Sequence, residues 1–302
     1  MENFIITITY LLIGVTIKRI PRFPAETGNI LSLFVIYVSL PALVLLKIPE
    51  LTLSTSLLVP ALLPWVMLLI SCLMILVLSK LLKWERQTTG CLLLMIPLGN
   101  TSFLGIPMVK AFFGEQAISY AVLYDQLGSF LALATYGSLI LALYGRDECK
   151  PSLADVGKKI ITFPPFIVLI VAFIFKNTTY PAVLTTILQT LSGTLVPLVM
   201  VAVGYQLTLR LSRESTAPLC FGLSIKLIAA PICALLLCRV AGLEGEAVDV
   251  AIFESGMPPM VSAGALAILA NLSPALTAAL VGLGIILSFA TLPVIYQLLQ
   301  II

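Results

Sequence analysis

Apolar residues occur along this chain in long blocks separated by short polar breaks, with neither the alternation of a half-buried strand nor the one-sided stripe of a soluble helix. A helix that crosses a bilayer needs about 20 mainly apolar residues. On that measure the sequence predicts ten spans, near residues 3–20, 28–47, 57–79, 88–112, 117–144, 160–176, 181–209, 216–240, 246–271 and 275–300. The long polar connection, Gly145 to Lys159, contains Arg146-Asp147-Glu148-Cys149-Lys150 and falls between the fifth and sixth spans. The expected architecture is therefore an all-α membrane protein with two five-helix repeats, residues 1–144 and 160–302, joined by a cytoplasmic linker over 145–159. Met1 to Ile20 is expected to remain as the first span. Its charges follow the apolar run, and no small-residue cleavage site is evident.

The basic residues orient these spans, because Lys and Arg are enriched in cytoplasmic loops. Lys18, Arg19, Arg22, Lys80, Lys83, Arg86, Arg146, Lys150, Lys158, Lys159, Arg210 and Arg213 follow odd-numbered spans, whereas Lys47, Lys110, Lys176 and Arg239 lie at the ends of even-numbered ones. Odd-numbered connections are thus expected in the cytoplasm and both termini outside, in a multi-pass protein of the plasma (inner) membrane. An even number of spans around a central cytoplasmic loop makes the two halves opposite in orientation, which is an inverted repeat.

Two spans break the apolar pattern. The fourth contains Leu98-Gly99-Asn100-Thr101-Ser102-Phe103-Leu104-Gly105-Ile106-Pro107-Met108, and the ninth contains Glu254-Ser255-Gly256-Met257-Pro258-Pro259-Met260-Val261-Ser262-Ala263-Gly264. Proline lacks a backbone donor and crowds the carbonyl one turn back. Interrupted backbone at membrane depth is tolerated where protein or a watery cavity satisfies it. Interruptions at corresponding places in two halves point to a transporter's binding site. The halves also share a proline in the second helix of each, in Leu40-Pro41-Ala42 and Val196-Pro197-Leu198.

Composition agrees with a membrane protein: 60% of the 302 residues are hydrophobic and 10% charged, against about 25% charged in a soluble domain. No basic, aromatic-rich patch suggests nucleic acid. Histidine is absent, which removes the commonest zinc ligand and the usual proton shuttle. The six cysteines form no Cys-x-x-Cys pair and read as small buried hydrophobes. There is no Gly-x-Ser-x-Gly elbow, His-Glu-x-x-His helix or phosphate loop. Tyr124-Asp125 lacks the second aspartate motif of an intramembrane protease. A non-enzyme without metal or organic cofactor is expected, with lipid as surroundings and a homodimer as one expected assembly.

Charges inside spans are costly and mark ion paths, partners or ligands. Asp125, beside Gln126 in the fifth span, and Glu254, at the second break, are the acids to which this applies, and Lys226 in the eighth span is the base. Either acid suits a proton or a hard cation such as sodium. Lys226 is read equally as a neutralising partner for an acid and as a counter-charge for an anionic substrate. Asn100, Thr101 and Ser102 supply amide and hydroxyl groups that either contact a ligand or replace backbone bonds lost around Pro107.

Gly99-Asn100-Thr101-Ser102-Phe103-Leu104-Gly105-Ile106-Pro107 resembles the fourth-helix signature of the auxin efflux carrier family, which includes plant PIN-type carriers and bacterial permeases. Met257-Pro258-Pro259, Leu40-Pro41-Ala42, and Lys226 with Pro231 fit the same pattern, and the similarity covers essentially the whole chain. The resemblance implies ten helices in inverted repeats, with scaffold and transport domains each built from both. It also implies crossing helices four and nine and alternating access for a small organic anion. Malonate, malate or an auxin-like acid are the expected substrates. The expected contact set is Asn100, Thr101, Ser102, Pro107, Asp125, Gln126, Pro258 and Pro259, with Lys226 as counter-charge. Glu254-Ser255-Gly256-Met257 is also similar to the ninth-helix motif of sodium–bile acid symporters. That likeness implies a cation role for Glu254 and a sodium-coupled alternative, although Pro258 and Pro259 replace the polar pair found there; with Asp125 and Met257, Glu254 makes up the expected cation site.

Overall fold

The computed structural model describes residues 2–51, 57–145, 153–176, 178, 180–208 and 216–301. Arg146, Lys150, Arg210 and Arg213, which contribute to the predicted orientation, and Cys149 lie outside the described residues. The described chain is helical: α1 (Glu2–Ile17), α2 (Thr27–Lys47), α3 (Leu58–Leu82), α4 (Arg86–Met95), α5 (Thr101–Phe113), α6 (Ile118–Tyr144), α7 (Leu153–Ile161), α8 (Pro164–Ile174), α9 (Ala182–Gln206), α10 (Thr216–Val240), α11 (Glu246–Ser255), α12 (Val261–Leu269) and α13 (Pro274–Ile301). Among the described residues six helices, α2, α3, α6, α9, α10 and α13, are long and apolar enough to cross a membrane; α1, α5 and α8 are apolar but shorter. The predicted polar linker is partly helical, because α7 begins within it. β structure among the described residues is confined to one isolated bridge, Gly99 with Pro259.

Proline shapes these helices locally. The turn widens to π geometry over Val35–Ser39, Thr101–Gly105 and Ile225–Ala229. Each widened turn ends two residues before a proline: Pro41, Pro107 and Pro231. A proline cannot donate to the carbonyl one turn back and its ring pushes that carbonyl away, so the preceding turn relaxes outward. In α6 the widened turns Tyr124–Phe130 and Leu133–Gly137 precede no proline. There other groups take up the carbonyl and space of the turn: Trp65 Nε1 donates to the Leu127 carbonyl at 3.0 Å. A Cβ on Gly128 would lie 2.2 Å from the Pro64 ring.

The chain divides into two compact units, each drawn from both halves of the sequence. Unit 1 comprises Met1–Ser54, Ser102–Val122 and Lys158–Leu207. Its tightest packing is α1 against α9. A Cβ at Gly14 would lie 2.1 Å from the Val201 carbonyl oxygen, and one at Gly204 would lie 2.0 Å from that of Leu11. Small residues permit this backbone approach in membrane helices. Lys18 Nζ donates to the Leu207 carbonyl at 2.7 Å, just beyond the end of α9, and the Tyr205 hydroxyl to that of Pro24 at 2.8 Å. Buried hydroxyls turn to nearby oxygens: Thr7 to the Asn3 carbonyl, Ser32 to that of Gly28, and Ser39 to the Thr194 hydroxyl. Charges sit near solvent, where Lys47 pairs with Glu50 and Glu115, and Lys110 with Glu115.

Unit 2 comprises Thr55–Thr101, Leu123–Gly157 and Thr208–Ile302. Its apolar core gathers Leu68 and Ile75 of α3, Cys91 to Met95 of α4, Leu219 and Leu223 of α10, Ala263 and Ala267 of α12, and Leu276 and Leu280 of α13. Around that core Tyr136 donates to the Leu93 carbonyl at 2.7 Å, and Cys72 donates to the Tyr136 hydroxyl at 2.9 Å. These helices frame the two interruptions.

Candidate functional site

The site begins with two breaks that meet. α4 ends at Met95 and α5 begins at Thr101; α11 ends at Ser255 and α12 begins at Val261. Between these ends each break opens with a turn and then reaches one bridge residue, Gly99 or Pro259. Asn100 N donates to the Pro258 carbonyl at 2.8 Å and Met260 N donates to the Leu98 carbonyl at 3.0 Å, making the antiparallel Gly99–Pro259 bridge. The double proline suits this pairing. The bridge uses the N–H groups of Asn100 and Met260 and the carbonyls of Leu98 and Pro258, so neither proline is asked for a donor. Across from the prolines, Gly284 of α13 leaves the space: a Cβ there would lie 2.7 Å from Pro259 Cδ and 3.3 Å from Pro258 Cβ. Two helices, α5 and α12, start at this crossing, and helix starts present free N–H groups and positive potential to an anion.

Beside the crossing lie all the charged residues that are buried among the described residues: Asp125, Lys226 and Glu254, exposed by 1%, 4% and 0%. Asp125 and Gln126 stand on the first widened turn of α6, Lys226 on that of α10, and Glu254 near the end of α11. Asp125 is well supplied with donors. The Thr101 hydroxyl reaches Oδ1 at 2.6 Å and Gln126 Nε2 reaches Oδ2 at 2.6 Å. The second bond also sets the amide of Gln126, whose Oε1 is left buried without a partner. Glu254 is the opposite case, because neither carboxylate oxygen has a hydrogen-bond partner. Asp125 and Lys226 act on it through their charges. Asn100 Nδ2 is likewise buried and unpaired. Lys226 Nζ faces the crossing, 3.2 Å from where a Cβ on Gly99 would stand.

A small cavity lies against Lys226 and Glu254. It is lined by Gly99, Thr101, Tyr124, Ser129, Lys226 and Glu254 on its polar side and holds about 10 Å³ for the centre of a water, which is room for about one water molecule. A carboxylate substrate does not fit in that space.

The structure thus brings Asn100, Thr101, Asp125, Gln126, Lys226, Glu254, Met257, Pro258 and Pro259 into unit 2. Met257 is buried, and its backbone N donates to the Glu254 carbonyl at 3.1 Å. Ser102 and Pro107 belong to unit 1, and Pro107 follows the widened turn of α5 without lining the cavity. Pro64, Gly99, Tyr124 and Ser129 are among the cavity residues not anticipated as functional. Gly99 and Tyr124 carried a signal, since each adjoins a residue that was singled out. Pro64 sits within a long apolar run and carried none.

An all-helical, highly apolar chain whose buried charges collect beside two interrupted helices is, by class, an integral membrane transporter. The chain belongs to the membrane transport protein family, the auxin efflux carrier group, whose model matches residues 1–296. It is 29% identical over 268 residues to the uncharacterized transporter MJ1031 of Methanocaldococcus jannaschii, covering 85% of each chain. A second similar protein, an uncharacterized transporter of Methanothermobacter thermautotrophicus, is 26% identical over 301 residues, covering 97% of this chain and 96% of its own. The family is one of transporters and not of enzymes, and the match does not favour the bile-acid type.

Proposed function

We propose that this protein is a secondary transporter of a small organic anion, with malonate or malate as model substrates, working by alternating access. The observation that carries this reading is the Asn100–Pro258 crossing, where the starts of α5 and α12 lie beside an amide Nδ2 that has no protein partner. A carboxylate there would accept the Asn100 amide and lie at the positive ends of the two helix starts, with Lys226 as counter-charge. In this reading the shorter apolar helices and the two broken ones complete ten crossings in two inverted repeats, with both termini outside and residues 145–159 in the cytoplasm. Asn100→Ala in purified protein tests the site. Malonate affinity should fall by about tenfold or more, since a hydrogen bond to a charged group is worth about 1.5–3 kcal/mol. Thermal stability should stay unchanged, because the amide nitrogen has no protein partner to lose. Unchanged affinity would remove Asn100 from the site.

A further inference from the structure

Two buried carboxylates share the polar cluster, and their surroundings differ. Asp125 has donors on both oxygens, from Thr101 and Gln126. Glu254, at 0% exposure, has none on either. With all three groups ionised the cluster holds two negative charges and one positive, so it lacks one positive charge. The space against Glu254 admits one water-sized particle, and the Lys226 ammonium is part of its wall. An alkali cation there needs a shell of oxygens and stands against that ammonium; a proton needs neither room nor ligands. The groups facing Glu254 agree with this. α6 presents Asp125 and Tyr124, and α10 presents Lys226. α3 presents Pro64 and Leu68, neither of which titrates, and Tyr296 is the ionisable side chain of α13.

Resting on the reading of the chain as an organic-anion carrier, we propose that Glu254 is the proton-carrying group of the transport cycle and that Lys226 bars a metal cation from the same place. The proton adds to one carboxylate oxygen of Glu254 from water on one side of the membrane. Hydronium is the donor, its O–H bond breaking as that of Glu254 forms, and the proton leaves to water on the other side, where hydronium forms again. A proton on Glu254 removes a negative charge beside the crossing, so the proton and the anion each favour binding of the other. Coupling of that sign is symport.

Two measurements test this on the full chain. In proteoliposomes, a pH gradient, acid on the outside, should drive accumulation of labelled malonate, while a sodium gradient of equal ionic strength should not. Glu254→Gln, which keeps the shape but cannot titrate, should lose the response to pH yet still exchange malonate for malonate. The second measurement needs no substrate. Infrared difference spectra across a pH change should show the carbonyl stretch of a buried carboxylic acid, lost in Glu254→Gln and kept in Asp125→Asn. A band indifferent to Glu254→Gln overturns the proposal. So does a sodium gradient that drives uptake by the wild-type protein, whatever the variants do. Absence of malonate transport, with the band present and dependent on Glu254, would count against malonate as substrate and in favour of the proton site.

Discussion

The two units solve the problem of living in lipid differently. Unit 1 buries no charge among its described residues, satisfies the hydroxyls of Thr7, Ser32 and Ser39 nearby, and keeps its ion pairs near solvent. Its stability rests on α1 and α9 approaching until backbone meets backbone at Gly14 and Gly204. Unit 2 gives up two helices' regularity, replaces the lost bonds by a two-bond bridge, and buries Asp125, Lys226 and Glu254 beside it. Without a hydrophobic drive between helices in lipid, association depends on close packing or on polar contacts. Unit 1 relies mainly on the first, while unit 2 adds the second, and buried charge without full pairing is kept where a ligand or ion must come and go.

That contrast is most easily broken in unit 1. Gly204→Leu would drive a side chain into the Leu11 carbonyl and force α1 from α9. Overpacking usually costs about 1–3 kcal/mol, but here the obstacle is backbone that no rotamer change can clear. The expected outcome is loss of a monodisperse peak on size-exclusion chromatography. In unit 2 a cavity-neutral change has a comparable effect through charge. Lys226→Met leaves two buried acids without their base, a loss of about 3–5 kcal/mol, seen as a lower melting temperature in detergent. Adding Glu254→Gln to it should restore part of the loss, and a double-mutant cycle would measure the coupling. Strict additivity would show that the two charges do not act on each other.

A smaller effect is expected at the better-satisfied acid. Thr101→Val removes one of the donors to Asp125, at a cost of about 1.5–3 kcal/mol, and Asp125→Asn in the same background should cancel some of it. The smallest effect returns to unit 1. Lys47→Ala weakens an ion pair whose partner Glu115 is 55% exposed, and exposed pairs contribute less than about 1 kcal/mol. A melting temperature unchanged within error is the expected result. A large fall would show that unit 1 too depends on charge.

Much of this was legible beforehand. Helical class, membrane residence and family follow from apolar blocks and from the Gly99-to-Pro107 signature, because length and hydropathy are local properties. The breaks were legible for the same reason, since proline and glycine act on the turn they occupy. Pro41, Pro107 and Pro231 each widen the turn before them. What stayed hidden depends on residues far apart in the chain. Asp125 and Glu254 looked equivalent as lone acids within spans. Packing gave one of them two donors and the other none. Nor did Pro64 or Gly284 stand out, because each matters only for the space it fills or leaves beside Gly128 or the double proline. Local chemistry thus determined which helices form and where they break. Which break meets which, and which charge is satisfied, was decided only when the 157 residues of intervening chain brought Asn100 to Pro258, since hydrogen bonds and ion pairs act over a few ångströms and sequence distance does not enter them.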